Sequence, residues 1–133
     1  MSASEFKFRN ITVLQLSVIL CLWTASAVAQ CWTSDLSEEE QLAVARETFE
    51  TELFAESIEA AKCYLDEFPV GNSREEMLYL KAESFRKSGK LKDAVKGYDE
   101  LMISYPASNE YLEQVMFNKG VLQARIKLSL IHI

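Results

Sequence analysis

The chain has 133 residues, with twenty acidic side chains against fourteen basic ones and a formal net charge of −6. That balance, with no basic stripe, argues against nucleic acid as a partner. The sequence holds one histidine and four glycines, no cysteine pair at metal spacing, no glycine-rich phosphate loop and no serine in a nucleophile elbow. Neither catalysis nor a cofactor or metal is therefore expected.

At the start, Lys7 and Arg9 precede an apolar run from Ile11 to Trp23, and Ala27-Val28-Ala29 follows with the small-x-small pattern of a cleavage site. Residues 1–29 are expected to be a cleavable export signal, leaving Gln30 first; the alternative is an uncleaved signal anchor. Loss of Glu5, Lys7 and Arg9 would move the net charge from −6 to −7. Residues 30–37 read as a polar linker. Cys31, directly after the signal, invites lipidation, although the large polar Gln30 before it suits that processing poorly, and the plainer expectation is an ordinary thiol. Cys63 sits among Ala60, Ala61, Tyr64 and Leu65 and is expected as a buried thiol; an exported location permits a disulfide to Cys31 without demanding one. Membrane contact is expected only through the leader or a lipid on Cys31.

Ser37 with Glu40 forms a capping box, and Glu38 and Glu39 suit the positive end of the helix that follows, over Glu38 to Glu50. Phe54, Ile58, Ala61, Leu65 and Phe68 recur at helical spacing and predict a second helix over Phe54 to Glu67. Pro69-Val70-Gly71-Asn72 breaks the chain. Ser73 with Glu76 predicts a second capping box, then a helix over Arg74 to Lys87, a turn at Ser88-Gly89, a helix over Leu91 to Ser104, and a stop at Pro106. Ser108 or Asn109 is expected to cap a fifth helix carrying Tyr111, Leu112, Val115, Met116, Val121 and Leu122, with Val115, Met116, Val121 and Leu122 partly exposed for want of a covering partner. The six residues from Leu128 to Ile133 read as the in-frame translation of a transposon-adapter end used in sequencing libraries, so native sequence is expected to stop at Lys127, and His132 to carry no chemistry. The alternative is an apolar tail that completes the helix.

The helical segments repeat. Phe68-Pro69 and Tyr105-Pro106 lie 37 positions apart, and the same offset places Ala45 on Ala82, Phe54 on Leu91, Ser57-Ile58 on Ala94-Val95 and Leu65 on Met102. Small residues overlie small ones where two helices must approach closely, which predicts an all-α stack of helical hairpins. Gly89 can take positive φ and end a helix, whereas Glu52 at the same place in the first unit is a weaker stop.

These residues resemble a tetratricopeptide repeat. Ala82, Phe85, Gly89, Ala94, Tyr98 and Pro106 stand at that family's signature spacing in the second unit, and Ala45, Ser57, Ala61 and Pro69 do in the first. Leu78 and Lys81, and Gln41 and Val44, stand where the family's first-helix Trp and Leu would be. The resemblance covers 38–127 and implies antiparallel helix-turn-helix repeats stacked as a right-handed α-solenoid, with two complete units and a truncated third. It further implies a non-catalytic scaffold that binds a polypeptide on its concave face. The positions this assigns to the peptide are Leu42, Arg46, Phe49 and Glu50, then Tyr79, Glu83, Arg86 and Lys87, with Phe49 and Tyr79 as anchors and Arg46, Arg86 and Lys87 holding carboxylates. With the export signal, the repeats ending in Tyr105-Pro106-Ala107-Ser108 also resemble cell-envelope repeat proteins of Gram-negative bacteria, of the outer-membrane assembly and Tol-Pal-associated types. This implies a periplasmic or secreted location. The alternative function is a docking module of a longer enzyme.

Overall fold

The computed structural model describes residues 31–107 and 110–131. The expected leader, the new N-terminus at Gln30, the caps Ser108 and Asn109, and His132 lie outside them. Five helices follow in chain order: α1 (Glu38–Glu50), α2 (Phe54–Glu67), α3 (Arg74–Lys87), α4 (Leu91–Ser104) and α5 (Leu112–Ile131), with no strand among the described residues. Consecutive helices pack on one another, and α1 also touches α3. None of them is long and apolar enough to cross a membrane.

Ser37 starts α1 through the expected capping box: its N–H donates to Glu40 Oε2 at 2.9 Å and its Oγ accepts from the Glu40 N–H. The second box does not form. The Glu76 carboxylate is held by the Arg46 guanidinium instead, and the Ser73 N–H donates to the Tyr64 hydroxyl at 3.1 Å. A charged bidentate partner outcompetes a neutral amide for the same carboxylate. α5 starts at Leu112, later than either cap would place it, and the Tyr111 carbonyl accepts its first bond, from Val115.

The ends of α1 and α3 are alike in detail. Glu52 donates to the Phe49 carbonyl and Leu53 to that of Thr48, and 37 positions on, Gly89 donates to Arg86 and Lys90 to Phe85. Both are Schellman turns, which require a left-handed residue after the cap. Gly89 supplies it at φ 79, and Glu52 supplies it at φ 63. Glu52, the weaker stop of the two, therefore makes the same turn as Gly89, at a cost of about 1–2 kcal/mol for an L-residue in that region. Exchanging the two should separate conformation from contact: Glu52→Gly is expected to stabilise by about 0.5–1 kcal/mol and Gly89→Ala to destabilise by about 1 kcal/mol. A Cβ on Gly89 meets nothing within 4 Å, so the second loss would be conformational alone. Urea midpoints shifted the other way would refute it.

The repeated small residues lie where helices cross. Ala45, Ala60, Ala61, Ala82 and Ala94 are fully buried, and Tyr64 and Tyr98 are the largest side chains wholly enclosed. α3 and α4 run antiparallel, with Glu83 beside Tyr98 and Lys81 beside Glu100. A Cβ on Gly97 would stand 2.9 Å from Ala82 Cβ and 3.2 Å from its Cα. Gly97→Leu would raise helix propensity by up to about 1 kcal/mol, yet it is expected to lose a net 1–3 kcal/mol, because the two backbones must separate, by about the cost of overpacking. An unchanged thermal melt would mean that α3 and α4 do not meet there.

Two expectations about packing are corrected. Cys63 is not a free thiol: it is bonded to Cys31 with 5.4 Å between their Cα atoms, which ties the lead-in to α2. Behind this tie Thr33 is fully buried, and Gln41 Nε2 donates to its carbonyl at 2.9 Å and to Glu67 Oε2 at 2.5 Å. In α5, Val115 and Leu122 are buried rather than partly exposed, since they form the stripe by which α5 sits on its neighbours, whereas Met116 and Val121 are exposed.

Candidate functional site

The eight positions assigned to a peptide fall into equivalent pairs 37 apart: Leu42 and Tyr79, Arg46 and Glu83, Phe49 and Arg86, Glu50 and Lys87. Two of these pairs invert charge. On α1, Leu42 and Phe49 are half-buried against the core, and the Phe49 ring meets the edge of Phe54 at 5.8 Å. Arg46 is exposed, with Nε 2.5 Å from Glu76 Oε1 and Nη2 2.6 Å from Oε2. The bond to Glu76 raises its pKa; burial opposes this by less, and the charges of Glu76, Tyr111 and Glu50 add smaller increases. Glu50 and Lys87, at the ends of α1 and α3, are exposed.

On α3, Tyr79 is half-buried and stacked on Tyr111 at 4.4 Å, with 21° between the rings. Burial, then the charge of Glu83, raises its pKa. For Tyr111 the same cause comes first, followed by Glu110, and the phenol is pushed up to about 12. Both hydroxyls stay protonated at any physiological pH and offer donors to a ligand.

Glu83 is only 4 % exposed. It accepts from Arg86 Nε and Nη2, the latter at 2.6 Å, from the Tyr98 hydroxyl, and from Asn118 Nδ2 at 2.9 Å. Burial by itself would raise its pKa; the bonds from Arg86, Tyr98 and Asn118 outweigh that and leave it lowered. One carboxylate thus joins α3, α4 and α5, and it fixes Arg86 from below while the Arg86 Nη1 takes no part in those bonds. Asn118 was missed by sequence reasoning; the signal for it is a polar residue on the same buried face of α5 as Val115 and Leu122.

A second polar cluster holds the α2–α3 corner. Glu38 Oε1 accepts from the Tyr64 hydroxyl at 2.5 Å and from the Asn72 N–H at 3.0 Å. A Cβ on Gly71 would lie 2.6 Å from the Tyr64 oxygen and 2.8 Å from that of Glu38. Here glycine is needed for space. Glu38, expected only to complement a helix dipole, closes a joint between hairpins.

Among the described residues no group of three or more His, Cys, Asp or Glu side chains is placed to hold a metal. Comparison with protein-family models, with curated proteins and with solved structures finds no match to the chain. The face formed by α1 and α3 combines half-buried Leu42, Phe49 and Tyr79, the last stacked on Tyr111 just ahead of α5, with exposed Arg46, Glu50 and Lys87.

Proposed function

We propose that α1 to α5 are stacked helix-turn-helix repeats of the tetratricopeptide kind, two complete units and the first helix of a third in a right-handed α-solenoid, and that the chain is a non-catalytic scaffold binding a polypeptide across α1 and α3. The observation that carries the architecture is the duplicated Schellman turn, backbone bond for backbone bond, at Glu52 and Gly89. The contact of α1 with α3, bridged by Arg46 and Glu76, supports a shared face of first helices.

On this reading Leu42, Phe49 and Tyr79 give the face its apolar contacts, and Arg46, Arg86 and Lys87 its cations. Glu83 acts indirectly by holding Arg86 ready, and Glu50 favours a basic group near the end of α1. Localisation outside the cytoplasm is part of the proposal. The Cys31–Cys63 bond supports it, since such bonds persist in oxidising compartments. A lipid thioether on Cys31 would use the same sulfur, so the bonded form and a lipid-anchored form exclude one another.

Peptides selected from a displayed random library against the chain test the reading. Ligands with acidic residues beside an aromatic or aliphatic one are expected, with affinity that falls as salt rises. Lys87→Glu should weaken them about tenfold, whereas reversal of Lys62, paired with Glu59 on α2, or of Lys96, beside Asp93 on α4, should leave them unchanged. Equal losses from both sets would place binding elsewhere than the α1–α3 face.

A further inference from the structure

The two hairpin tips share a backbone turn but carry opposite charge. α1 closes on Glu47 and Glu50, with Glu52 in the turn after it and no basic side chain in its last turn. α3 closes on Arg86 and Lys87, with Lys90 just past the turn. Cations at the end of α3 suit the negative pole of that helix, whereas carboxylates at the end of α1 work against it. Glu47, Glu50, Glu52, Lys87 and Lys90 are all exposed, and none of them joins an ion pair among the described residues. Arg46, one turn before Glu50, feels its charge but gives its two-pronged bond to Glu76. At α3 the Arg86 charge is answered by Glu83, which leaves Lys87 and Lys90. The fold itself therefore makes little use of the charges at either tip. The tips also stand level: the Ser57 hydroxyl donates to the Ala45 carbonyl at 3.2 Å and accepts from the Ser84 hydroxyl at 3.1 Å, so one side chain links α1 to α3 shortly before both helices end.

We infer that the polypeptide bound across α1 and α3 carries a basic residue and an acidic residue about three positions apart, the base held at the α1 tip by Glu47 and Glu50 and the acid at the α3 tip by Lys87 and Lys90. The spacing follows from packed helices lying about 8–10 Å apart and an extended chain advancing about 3.3 Å per residue. The inference rests on the α1–α3 reading above and adds to it the order of charge along the ligand. A purely acidic segment would gain at α3 and be repelled at α1, and a purely basic one would meet the reverse. Only a segment of mixed sign satisfies both tips, so the repulsive half of each tip rejects the wrong ligand as firmly as the attractive half takes the right one.

Selection from a displayed random peptide library against the full chain, and separately against Glu50→Lys and Lys87→Glu, tests this. The parent should enrich peptides with a basic and an acidic residue about three positions apart. Glu50→Lys should enrich an acid in place of the base, and Lys87→Glu a base in place of the acid. A peptide selected on the parent should bind either variant about tenfold more weakly at low salt, since one pair becomes like-charged. Replacing the basic residue of that peptide by alanine should remove most of the loss caused by Glu50→Lys and leave the loss caused by Lys87→Glu whole. Both side chains are exposed, so circular dichroism of each variant should match the parent. Peptides of a single charge sign that respond to Lys87→Glu but not to Glu50→Lys would overturn the charge order and leave the α1–α3 face standing. Selected peptides indifferent to both substitutions would overturn the face, and the charge order with it.

Discussion

Glu83→Ala is expected to lower unfolding free energy by about 3–5 kcal/mol, the range for removing one partner of a buried, hydrogen-bonded charge pair. Arg86 would lose its carboxylate, and the Tyr98 hydroxyl and the Asn118 amide would lose the acceptor around which they converge. A small domain holds about 5–15 kcal/mol in all, so the variant should be marginal. Glu83→Gln, which keeps shape and one acceptor, should lose less. The pH dependence has a fixed sign. The carboxyl is lowered in the folded chain from its ordinary value of 4.5, so its contribution is full above that value and fades as pH falls through the lower folded one. Urea midpoints followed into acid should drop more steeply for the parent than for Glu83→Gln; parallel curves would show that Glu83 is not ionised in the fold.

Reduction of the Cys31–Cys63 bond should cost about 3–4 kcal/mol, since the loop it closes falls between the lengths for which chain entropy gives about 3 and about 4.7 kcal/mol. The two cysteines stand 32 positions apart. For a domain of this size such a loss lowers the thermal midpoint by roughly 4–8 °C per kcal/mol. Cys31→Ser should melt where the reduced parent melts, and Trp32, exposed beside the bond, gives a fluorescence signal for release of the lead-in. Identical melts with and without reductant would show that the lead-in contributes nothing to the fold.

The helical elements were legible because the determinants of their boundaries are local. Ser37 with Glu40, the break at Pro69, Gly89 and Pro106 each act within a few residues of the boundary they set, and the first four helices begin and end where those signals place them. What was not legible depended on partners far away in sequence. Glu76 could serve Ser73 or Arg46, and only packing of α1 beside α3 decides between them. Cys63 is buried as read, but its bond to Cys31 forms only because the lead-in folds back to it. The candidate face divides in the same way: Arg46, Glu50 and Lys87 are exposed, as helical periodicity indicates. Glu83 is drawn inside by Tyr98 and Asn118, two residues from helices that sequence spacing cannot bring together. Glu52 is the converse case, a backbone conformation imposed by the turn on a residue that does not favour it.

The clamp at the α2–α3 corner bears on how the molecule deforms. Because Glu38 and Tyr64 catch the passing amides of Asn72 and Ser73, the corner is fastened to the start of α1 and must travel with it as a rigid bracket. A load applied at the start of α1 is therefore passed straight to the α2–α3 corner through these bonds and is not absorbed in the loop between them.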